Sequence, residues 1–244
     1  MKKFAGRSNR RSGVVLCGAY GYGNAGDEAI LNAIVTELRT LDPQMPICVM
    51  TRRPRETEAR LGVRARYTFN IPAFCYETLR AKLYLNGGGS LIQDVTSRRS
   101  LWFYLLTITL AKHLGCKVLM YGCGIGPVKH PDDRKLAARI LNRRVDAITL
   151  RDPVSKEELE RMGVTRPEII VAADPTVVLP AAESSVVDEL FRRWGMDPEG
   201  RYLGITVRPW AGFDEKAPIF AAAADHAYHR HGLTPVFIPI ERRH

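Results

Sequence analysis

The chain has 244 residues, of which 45% are hydrophobic and 25% are charged, and its formal net charge is +10. This is the composition of a folded globular protein with room for one large domain or two smaller ones. The longest apolar stretch, residues 101–111, is far shorter than the about 20 residues that a membrane-spanning helix needs, so we predict no such helix.

The first twelve residues are basic and polar, and no apolar stretch follows them, so we predict a flexible basic N-terminus rather than a signal peptide. Beyond it, strand-like and helix-like segments alternate. Strands are predicted at 13–18, 46–51, 82–86, 117–122, 146–150 and 168–172, and helices at 27–41, 73–80, 98–114, 131–144 and 153–162. Continuous apolar strands that alternate with helices predict an α/β fold, a Rossmann-like doubly wound parallel sheet that is covered on both faces.

This pattern stops near residue 180 and starts again near residue 200. A helix at 184–194 and a turn precede strands at 202–207 and 235–240, with a helix at 216–231 between them. We therefore predict an N-terminal Rossmann-like domain over 13–182, a linker over 183–200 and the start of a second Rossmann-like domain over 201–244. Two strands and one helix bury too little apolar surface to fold alone, so we expect this second domain to be incomplete in the chain.

The excess of basic residues favours acidic partners such as phosphorylated substrates and anionic lipid headgroups. The basic pairs, for example Arg143-Arg144, are not interleaved with aromatic residues as in nucleic-acid-binding modules, so we predict no nucleic-acid partner. The five cysteines form no C-x-x-C pair, which favours buried, reduced thiols in a cytoplasmic protein over a metal site.

Residues 21–26 read G-Y-G-N-A-G and follow a predicted strand, as a dinucleotide-binding fingerprint does. However, Asp27 and Glu28 follow at the helix start, where they would repel a bound pyrophosphate. The second strand also ends in Arg52-Arg53 instead of the acidic residue that holds a ribose. Because arginines there would suit the 2′-phosphate of NADP, an NADP-dependent oxidoreductase stays an alternative.

Ligands of doubly wound sheets bind beyond the carboxyl ends of the strands, so the segments that follow the other strands are candidate sites. The glycines of 87–89 predict close approach of a ligand to the backbone. A second glycine-rich segment, 121–128, is either a ligand loop or a place of close backbone packing. Arg151 either binds a carboxylate or phosphate group or pairs with Asp152. Asp174 is interpreted as part of a turn or a helix cap.

Five motifs occur in a fixed order along the chain. They are G-Y-G-N-A-G-D-E-A-I from residue 21, N-G-G-G-S-L-I-Q-D from residue 86, G-C-G-I-G-P from residue 122, L-R-D-P-V-S from residue 150 and D-P at residue 174. Their combination resembles the polysaccharide pyruvyl transferase family, close to its CsaB type, over residues 13 to about 240. The resemblance implies two Rossmann-like domains arranged as in GT-B glycosyltransferases.

The resemblance also implies a reaction, the transfer of a pyruvyl group from phosphoenolpyruvate to a sugar as a cyclic ketal, with no cofactor. For the CsaB type, the implied acceptor is N-acetylmannosamine in a lipid-linked cell-wall disaccharide, and the ketal supports the anchoring of S-layer proteins. The implied location is the cytoplasm, peripherally at the inner membrane face, where anionic headgroups attract basic residues.

For this chemistry we predict Asp27 and Arg151 as catalytic residues. Asp27 would act as the base near the sugar hydroxyls, and Arg151 would hold the carboxylate or phosphate of phosphoenolpyruvate. The predicted substrate-binding residues lie in the glycine-rich segments and just beyond them: Tyr22, Asn24, Gly26, Gly88, Gly89, Ser90, Gln93, Asp94, Gly124 and Arg208.

One departure from the family pattern bears on activity. The second domain of the family carries an R-L-H motif, which does not occur in these 244 residues. We therefore expect that they cannot catalyse the reaction alone, and ketal formation by them would contradict this expectation. A glycosyltransferase that uses a nucleotide sugar and a non-catalytic sugar-binding module are further alternatives with the same fold.

Overall fold

The computed structural model describes residues 11–207 and 212–240. The predicted substrate-binding residue Arg208 and most of the predicted flexible terminus lie outside the described residues. The described part of the chain divides into two compact units. The first comprises residues 11–22 and 26–179, and the second comprises residues 23–25, 180–207 and 212–240.

The first unit is a seven-stranded parallel sheet in the order β3-β2-β1-β4-β5-β6-β7. Its strands are β1 Val14–Cys17, β2 Ile47–Thr51, β3 Arg64–Tyr67, β4 Leu83–Ile92, β5 Lys117–Ile125, β6 Ala147–Leu150 and β7 Glu168–Val171. Its helices are α1 Ala25–Leu41, α2 Pro54–Leu61, α3 Ile71–Arg80, α4 Arg98–His113, α5 Pro131–Arg144 and α6 Pro153–Arg161, followed by a 3-10 turn at Pro175–Val178. The predicted doubly wound parallel sheet is thereby confirmed.

Helices cover both faces of this sheet, and its central strand β1 is apolar and buried at every position. In β1, Val15 and Cys17 pack into the core beneath α3, α4 and α5, whereas Val14 and Leu16 pack against α1 on the other face. Four of the five cysteines are buried, as predicted. Burial raises the pKa of Cys17, Cys48 and Cys123 to about 12, so these thiols stay protonated and unreactive at neutral pH.

The second unit contains α7 Ser184–Arg193, β8 Tyr202–Val207, α8 Phe213–His231 and β9 Thr234–Pro239. The two strands are parallel, with Tyr202 opposite Thr234 and Val207 opposite Pro239. The rings of Phe191 and Tyr202 meet edge to face at 5.2 Å and tie the helix before β8 to that strand. The two predicted helices and two predicted strands of this segment are confirmed, with bounds that differ by at most three residues.

Two predictions about the sheet were wrong in extent. The segment 54–67 contains α2 and β3, neither of which was predicted, so the sheet has one strand more than expected. In addition, β4 does not end at residue 86 but continues through the glycines to Ile92, and β5 likewise continues to Ile125. The glycines are therefore strand residues, and the pairing of β4 with β5 shifts register between Gly89 and Ile92.

Gly88 illustrates why side chains are excluded from this part of β4. Its φ is +66°, and a Cβ atom there would lie 2.0 Å from Cγ2 of the buried Ile30 of α1. Strain in the left-handed region costs about 1–2 kcal/mol and overpacking a core costs about 1–3 kcal/mol. We therefore expect Gly88→Ala to lower the free energy of unfolding by about 3 kcal/mol, measured by urea unfolding.

Gly62 offers the matched control for this prediction. It caps α2 at a φ of +61°, and no heavy atom lies within 4 Å of its Cβ position. Gly62→Ala should therefore lower the free energy of unfolding only by the cost of backbone strain, about 1–2 kcal/mol. Equal losses in the two variants would contradict the assignment of the additional loss to contact with Ile30.

Candidate active site at the carboxyl edge of the sheet

The strand order changes direction between β1 and β4, which lie side by side at the centre of the sheet. The chain leaves β1 towards β2 on one side and leaves β4 towards β5 on the other, so a crevice opens between the two connections. This is where open α/β sheets bind their ligands. The predicted residues Asp27, Gly88, Gly89 and Ser90 lie at this edge of the first unit.

The fingerprint loop after β1 is held by its own side chains. The Tyr20 hydroxyl donates to the carbonyl oxygen of Gly87 at 2.7 Å, and the Gly21 N–H donates to Oε1 of Glu28 at 2.6 Å. The Arg60 guanidinium binds the other carboxylate oxygen of Glu28. The Gly21 N–H is thus occupied by a carboxylate of the protein, in a place where a dinucleotide site would offer it to phosphate.

Packing also explains the glycine at position 21. A Cβ atom there would lie 2.5 Å from Oγ1 of Thr51 and 2.8 Å from the backbone nitrogens of Arg52 and Arg53. The fingerprint glycine therefore lets the loop pack against the end of β2. From the sequence, Asp27 and Glu28 were both expected to repel a bound pyrophosphate. In the structure Glu28 has a separate role, because its carboxylate holds the loop closed.

Asp27 lies in the first turn of α1 and is half-buried. Its Oδ1 lies 3.2 Å from the position that a Cβ atom of Gly89 would occupy. The absence of a side chain at Gly89 therefore leaves the carboxylate beside the backbone of β4. Gly26 lies directly before it in the same turn, and Asn24 is the last residue before the helix begins.

Arg151 lies at the end of β6, on the other side of the glycine segment. Its guanidinium donates to Oγ of Ser90 at 3.2 Å and to Oδ2 of Asp174 at 3.1 Å. A Cβ atom on Gly124 would lie 2.6 Å from the same Ser90 oxygen and 3.1 Å from Nη2 of Arg151. The structure therefore brings Ser90, Gly124 and Arg151 together, and neighbouring residues Gly89 and Ser90 link this group to Asp27.

Asp174 orients Arg151 from the end of β7. Partial burial raises the pKa of Asp174, but hydrogen bonds from the N–H and hydroxyl of Thr176 and from Arg151 outweigh it and hold that pKa below its ordinary value. The carboxylate is therefore ionised at neutral pH. Asp152, the other candidate partner, lies 3.9 Å from Nε of Arg151 and instead caps α6 through the Ser155 N–H at 2.7 Å. As predicted, Asp174 acts as a cap, at the start of the 3-10 turn Pro175–Val178. Its hydrogen bond with Arg151 was not predicted.

Gln93 and Asp94 make structural hydrogen bonds. Oε1 of Gln93 accepts the Thr96 N–H at 2.9 Å. The two carboxylate oxygens of Asp94 accept the N–H groups of Lys129 and His130, both at 2.8 Å. Burial raises the pKa of Asp94, and these hydrogen bonds more than offset it, so that the pKa is lowered. Both side chains thus fix the segments that flank the site.

We expect Asp94→Asn to lower the free energy of unfolding by about 1–2 kcal/mol at neutral pH, because a charge-assisted hydrogen bond is lost. The folded-state pKa is the lower one, so this stabilisation is present above the unfolded-state pKa and is lost as the pH falls through the folded-state pKa. The difference between wild type and variant should therefore begin to shrink below the unfolded-state pKa of about 4 and disappear only below the still lower folded-state pKa, as followed by urea unfolding. A difference that stays constant with pH would contradict this assignment.

An aromatic cluster lies beside the crevice, and of its members only Tyr22 was predicted to bind substrate. The guanidinium of Arg52 lies 5.1–5.4 Å from the ring centroids of Tyr22, Tyr67 and Phe69 and donates to the Tyr67 hydroxyl at 2.7 Å. All three rings are between 42% and 47% exposed. Half-exposed aromatic faces with a fixed cation can stack against sugar rings and hydrogen-bond their substituents. The unpredicted strand β3 carries Tyr67, so the pattern could be found only with that strand in place.

Within the described ranges, no three side chains of His, Cys, Asp or Glu come together in a group that could hold a metal ion. None of the helices described in the structure has both the length and the apolar character that crossing a membrane requires.

Comparison with known proteins gives one family and several structures of similar fold. A family model described as polysaccharide pyruvyl transferase matches residues 24–244. No curated protein matches the sequence. At 10% identity, the chain is similar to UDP-GlcNAc 2-epimerase from Neisseria meningitidis bound to UDP-GlcNAc, with a TM-score of 0.56 over 93% of this chain and 66% of that one.

The chain is also similar to HepE from Anabaena in complex with UDP-glucose, at 10% identity and a TM-score of 0.53 over 94% of this chain and 69% of that one. A glycosyltransferase from Rickettsia africae gives 11% identity and a TM-score of 0.50 over 93% and 68%. The chain thus spans about two thirds of the length of each structure. At such identities the likeness shows the fold alone, and it confirms the predicted fold class.

Proposed function

The chain belongs to the polysaccharide pyruvyl transferase family, and we propose that it transfers a pyruvyl group from phosphoenolpyruvate to two hydroxyls of a sugar, forming a cyclic ketal. The observation that carries the proposal is a pair of opposite charges flanking one glycine segment. Asp27 lies beside Gly89, and Arg151 binds the neighbouring Ser90. A sugar acceptor needs a base for its hydroxyls, and a trianionic donor needs a cation.

The reaction balances without a further reactant. Protonation of the methylene carbon of phosphoenolpyruvate makes its central carbon electrophilic, and a first sugar hydroxyl adds there and loses its proton. Inorganic phosphate then departs and takes up the proton of the second hydroxyl, whose oxygen adds to the same carbon and completes the ketal, with the former methylene now a methyl group. In this scheme Asp27 accepts a hydroxyl proton, and Arg151 binds the donor carboxylate or phosphate. Phosphoenolpyruvate is a substrate, and the scheme uses no cofactor.

One hydrogen bond supports the assignment of substrates to the two sides of the crevice. The Gly21 N–H is taken by Glu28, so the loop after β1 suits an uncharged ligand better than a pyrophosphate. We propose that the acceptor sugar binds between Tyr22, Gly89 and Ser90, and that phosphoenolpyruvate binds near Gly124 and Arg151.

The motifs shared with the CsaB type extend the proposal to a particular acceptor. We propose N-acetylmannosamine in a lipid-diphosphate-linked disaccharide, with the ketal serving to anchor S-layer proteins, and catalysis in the cytoplasm at the inner membrane face. The excess of basic residues supports partners of this kind, since both the donor and the lipid diphosphate are anionic.

In whichever form of the protein carries the activity, the test measures phosphate released from phosphoenolpyruvate in the presence of a diphosphate-linked disaccharide that ends in N-acetylmannosamine, and the mass of the product. We expect acceptor-dependent phosphate release and a product that carries one pyruvyl ketal. Binding of a sugar nucleotide, with none of phosphoenolpyruvate, would overturn the proposal in favour of glycosyl transfer.

A further inference from the structure

We propose that the outer face of α3, α4 and α5 binds an anionic membrane surface. This inference rests on the exposed side chains of three adjacent helices and does not depend on the proposed reaction. The helices form one layer, since α4 packs against both α3 and α5 on the same side of the sheet. Below, the α3–α5 face means the exposed side chains of these three helices.

Large apolar side chains project from the α3–α5 face. Tyr76 is 55% exposed, Leu79 46%, Trp102 46% and Leu106 47%. Trp102 is fixed in place, because its indole N–H donates to Asp133 at 2.9 Å and the Arg98 guanidinium lies 5.1 Å from its ring centroid. Tryptophan, tyrosine and leucine beside basic residues are the side chains that peripheral proteins insert between lipid headgroups.

The exposed charges of the α3–α5 face are mostly positive. Lys135, Arg139 and Arg143 are exposed and follow one another at intervals of four residues, so they form a stripe along α5. The exposed arginines of the other two helices are Arg80, Arg98 and Arg99, of which Arg98 pairs with Asp133.

Acidic residues do not compensate this charge. Of the carboxylates in α3, α4 and α5, all of which are described, Glu77 and Asp133 are buried against arginines and only Asp132 is exposed. On the opposite side of the sheet, α2 alternates Arg55, Glu56, Glu58 and Arg60, so its charges balance. The basic surplus is therefore a property of the α3–α5 face and is not shared by α2.

Charge and apolarity together select the partner. A nucleic acid would use the arginines and lysines but has no apolar layer for Leu79 and Leu106. An anionic bilayer offers both phosphate headgroups and an apolar interior within a few ångströms. In addition, α4 begins at Arg98, shortly after the glycine segment of β4, so the α3–α5 face adjoins the carboxyl edge of the sheet. If the acceptor is lipid-linked, as proposed above, a membrane bound at this face would bring the lipid diphosphate of the acceptor near the candidate site.

The test uses flotation with phosphatidylcholine vesicles that do or do not contain phosphatidylglycerol. We expect binding only to the anionic vesicles, with a decrease at high ionic strength. The double variant Arg139→Glu with Arg143→Glu should lower the vesicle-bound fraction at least about tenfold. The control, Arg55→Glu with Arg193→Glu, changes the net charge equally at exposed positions of α2 and α7, which are not part of this face, and should bind like the wild type.

A second pair of variants tests the apolar contribution. Leu79→Ser with Leu106→Ser should reduce vesicle binding while the circular dichroism spectrum and the melting temperature stay close to those of the wild type. Equal losses in the two charge-reversed variants would show a general charge effect and overturn the proposal. Absence of binding to anionic vesicles would also overturn it. A third contrary result would be that low concentrations of RNA displace the protein from the vesicles while the double serine variant binds the vesicles as the wild type does.

Discussion

Replacing Asp27 with Asn is expected to lower the rate of pyruvyl transfer by about 10²- to 10⁴-fold, the contribution of a general base. The substitution keeps the shape of the side chain and removes its ability to take a proton from a sugar hydroxyl. Because Asp27 lies in the first turn of α1 and is half-buried, the helix and the sheet should keep their structure. The measurement is phosphate release from phosphoenolpyruvate in whichever form of the protein carries the activity, with the melting temperature as a check on folding.

The adjacent residue supplies the control for Asp27. Glu28→Gln removes the neighbouring negative charge, but the amide oxygen can still accept the Gly21 N–H. We expect this variant to lose stability, by about 1 kcal/mol, because its contact with Arg60 weakens, and to keep most of its rate. If the two variants slowed the reaction equally, the effect would belong to the acidic pair as a whole and not to a base at position 27.

The second large effect is expected at Arg151. Removing a partly buried cation that binds an anionic substrate costs about 2–4 kcal/mol, so Arg151→Met should lower kcat/KM for phosphoenolpyruvate about 10²- to 10³-fold. Arg151→Lys keeps the charge but cannot contact Ser90, Asp174 and the donor at once, and we expect it to recover only part of this loss.

Arg161 provides the control for Arg151. It lies on the exposed side of α6, pairs with Glu157 at 3.1 Å, and its replacement by Met should leave kcat/KM unchanged. Since the pKa of Asp174 is held low, the carboxylate that orients Arg151 stays ionised around neutral pH, and its titration should not appear in the pH dependence of the rate there. Unchanged affinity of Arg151→Met for phosphoenolpyruvate would remove this residue from the donor site.

Much of the fold could be predicted because the core strands and helices carry strong patterns. β1 and β2 are apolar at almost every position, and α1 repeats its buried residues at intervals of three and four. The strand β3 reads R-A-R-Y and buries only Ala65, so its pattern resembles that of a polar loop. It becomes a strand because the edge of β2 offers it backbone hydrogen bonds, which the local sequence does not reveal.

The candidate site was predictable in its location but not in its contacts. The rule on strand ends and the glycine segment led to Asp27, Ser90 and Arg151, all of which the structure positions at one edge of the first unit. The bond between Arg151 and Asp174 joins residues at the ends of two neighbouring strands, 23 positions apart. It depends on the register of β6 and β7, and no short-range pattern encodes such a register.

The glycine run of β4 also limits how this protein can be redesigned. Gly87 lies against Ile34 and the Tyr20 hydroxyl, Gly88 against Ile30, and Gly89 against Asp27, so none of the three can acquire a side chain without displacing a neighbour. A variant library aimed at a new acceptor should therefore leave these positions fixed. Diversity is better introduced at the exposed rim, at Tyr22 and Phe69, where added or trimmed side chains meet solvent. Acceptor preference can then change while the foldedness of the library is retained.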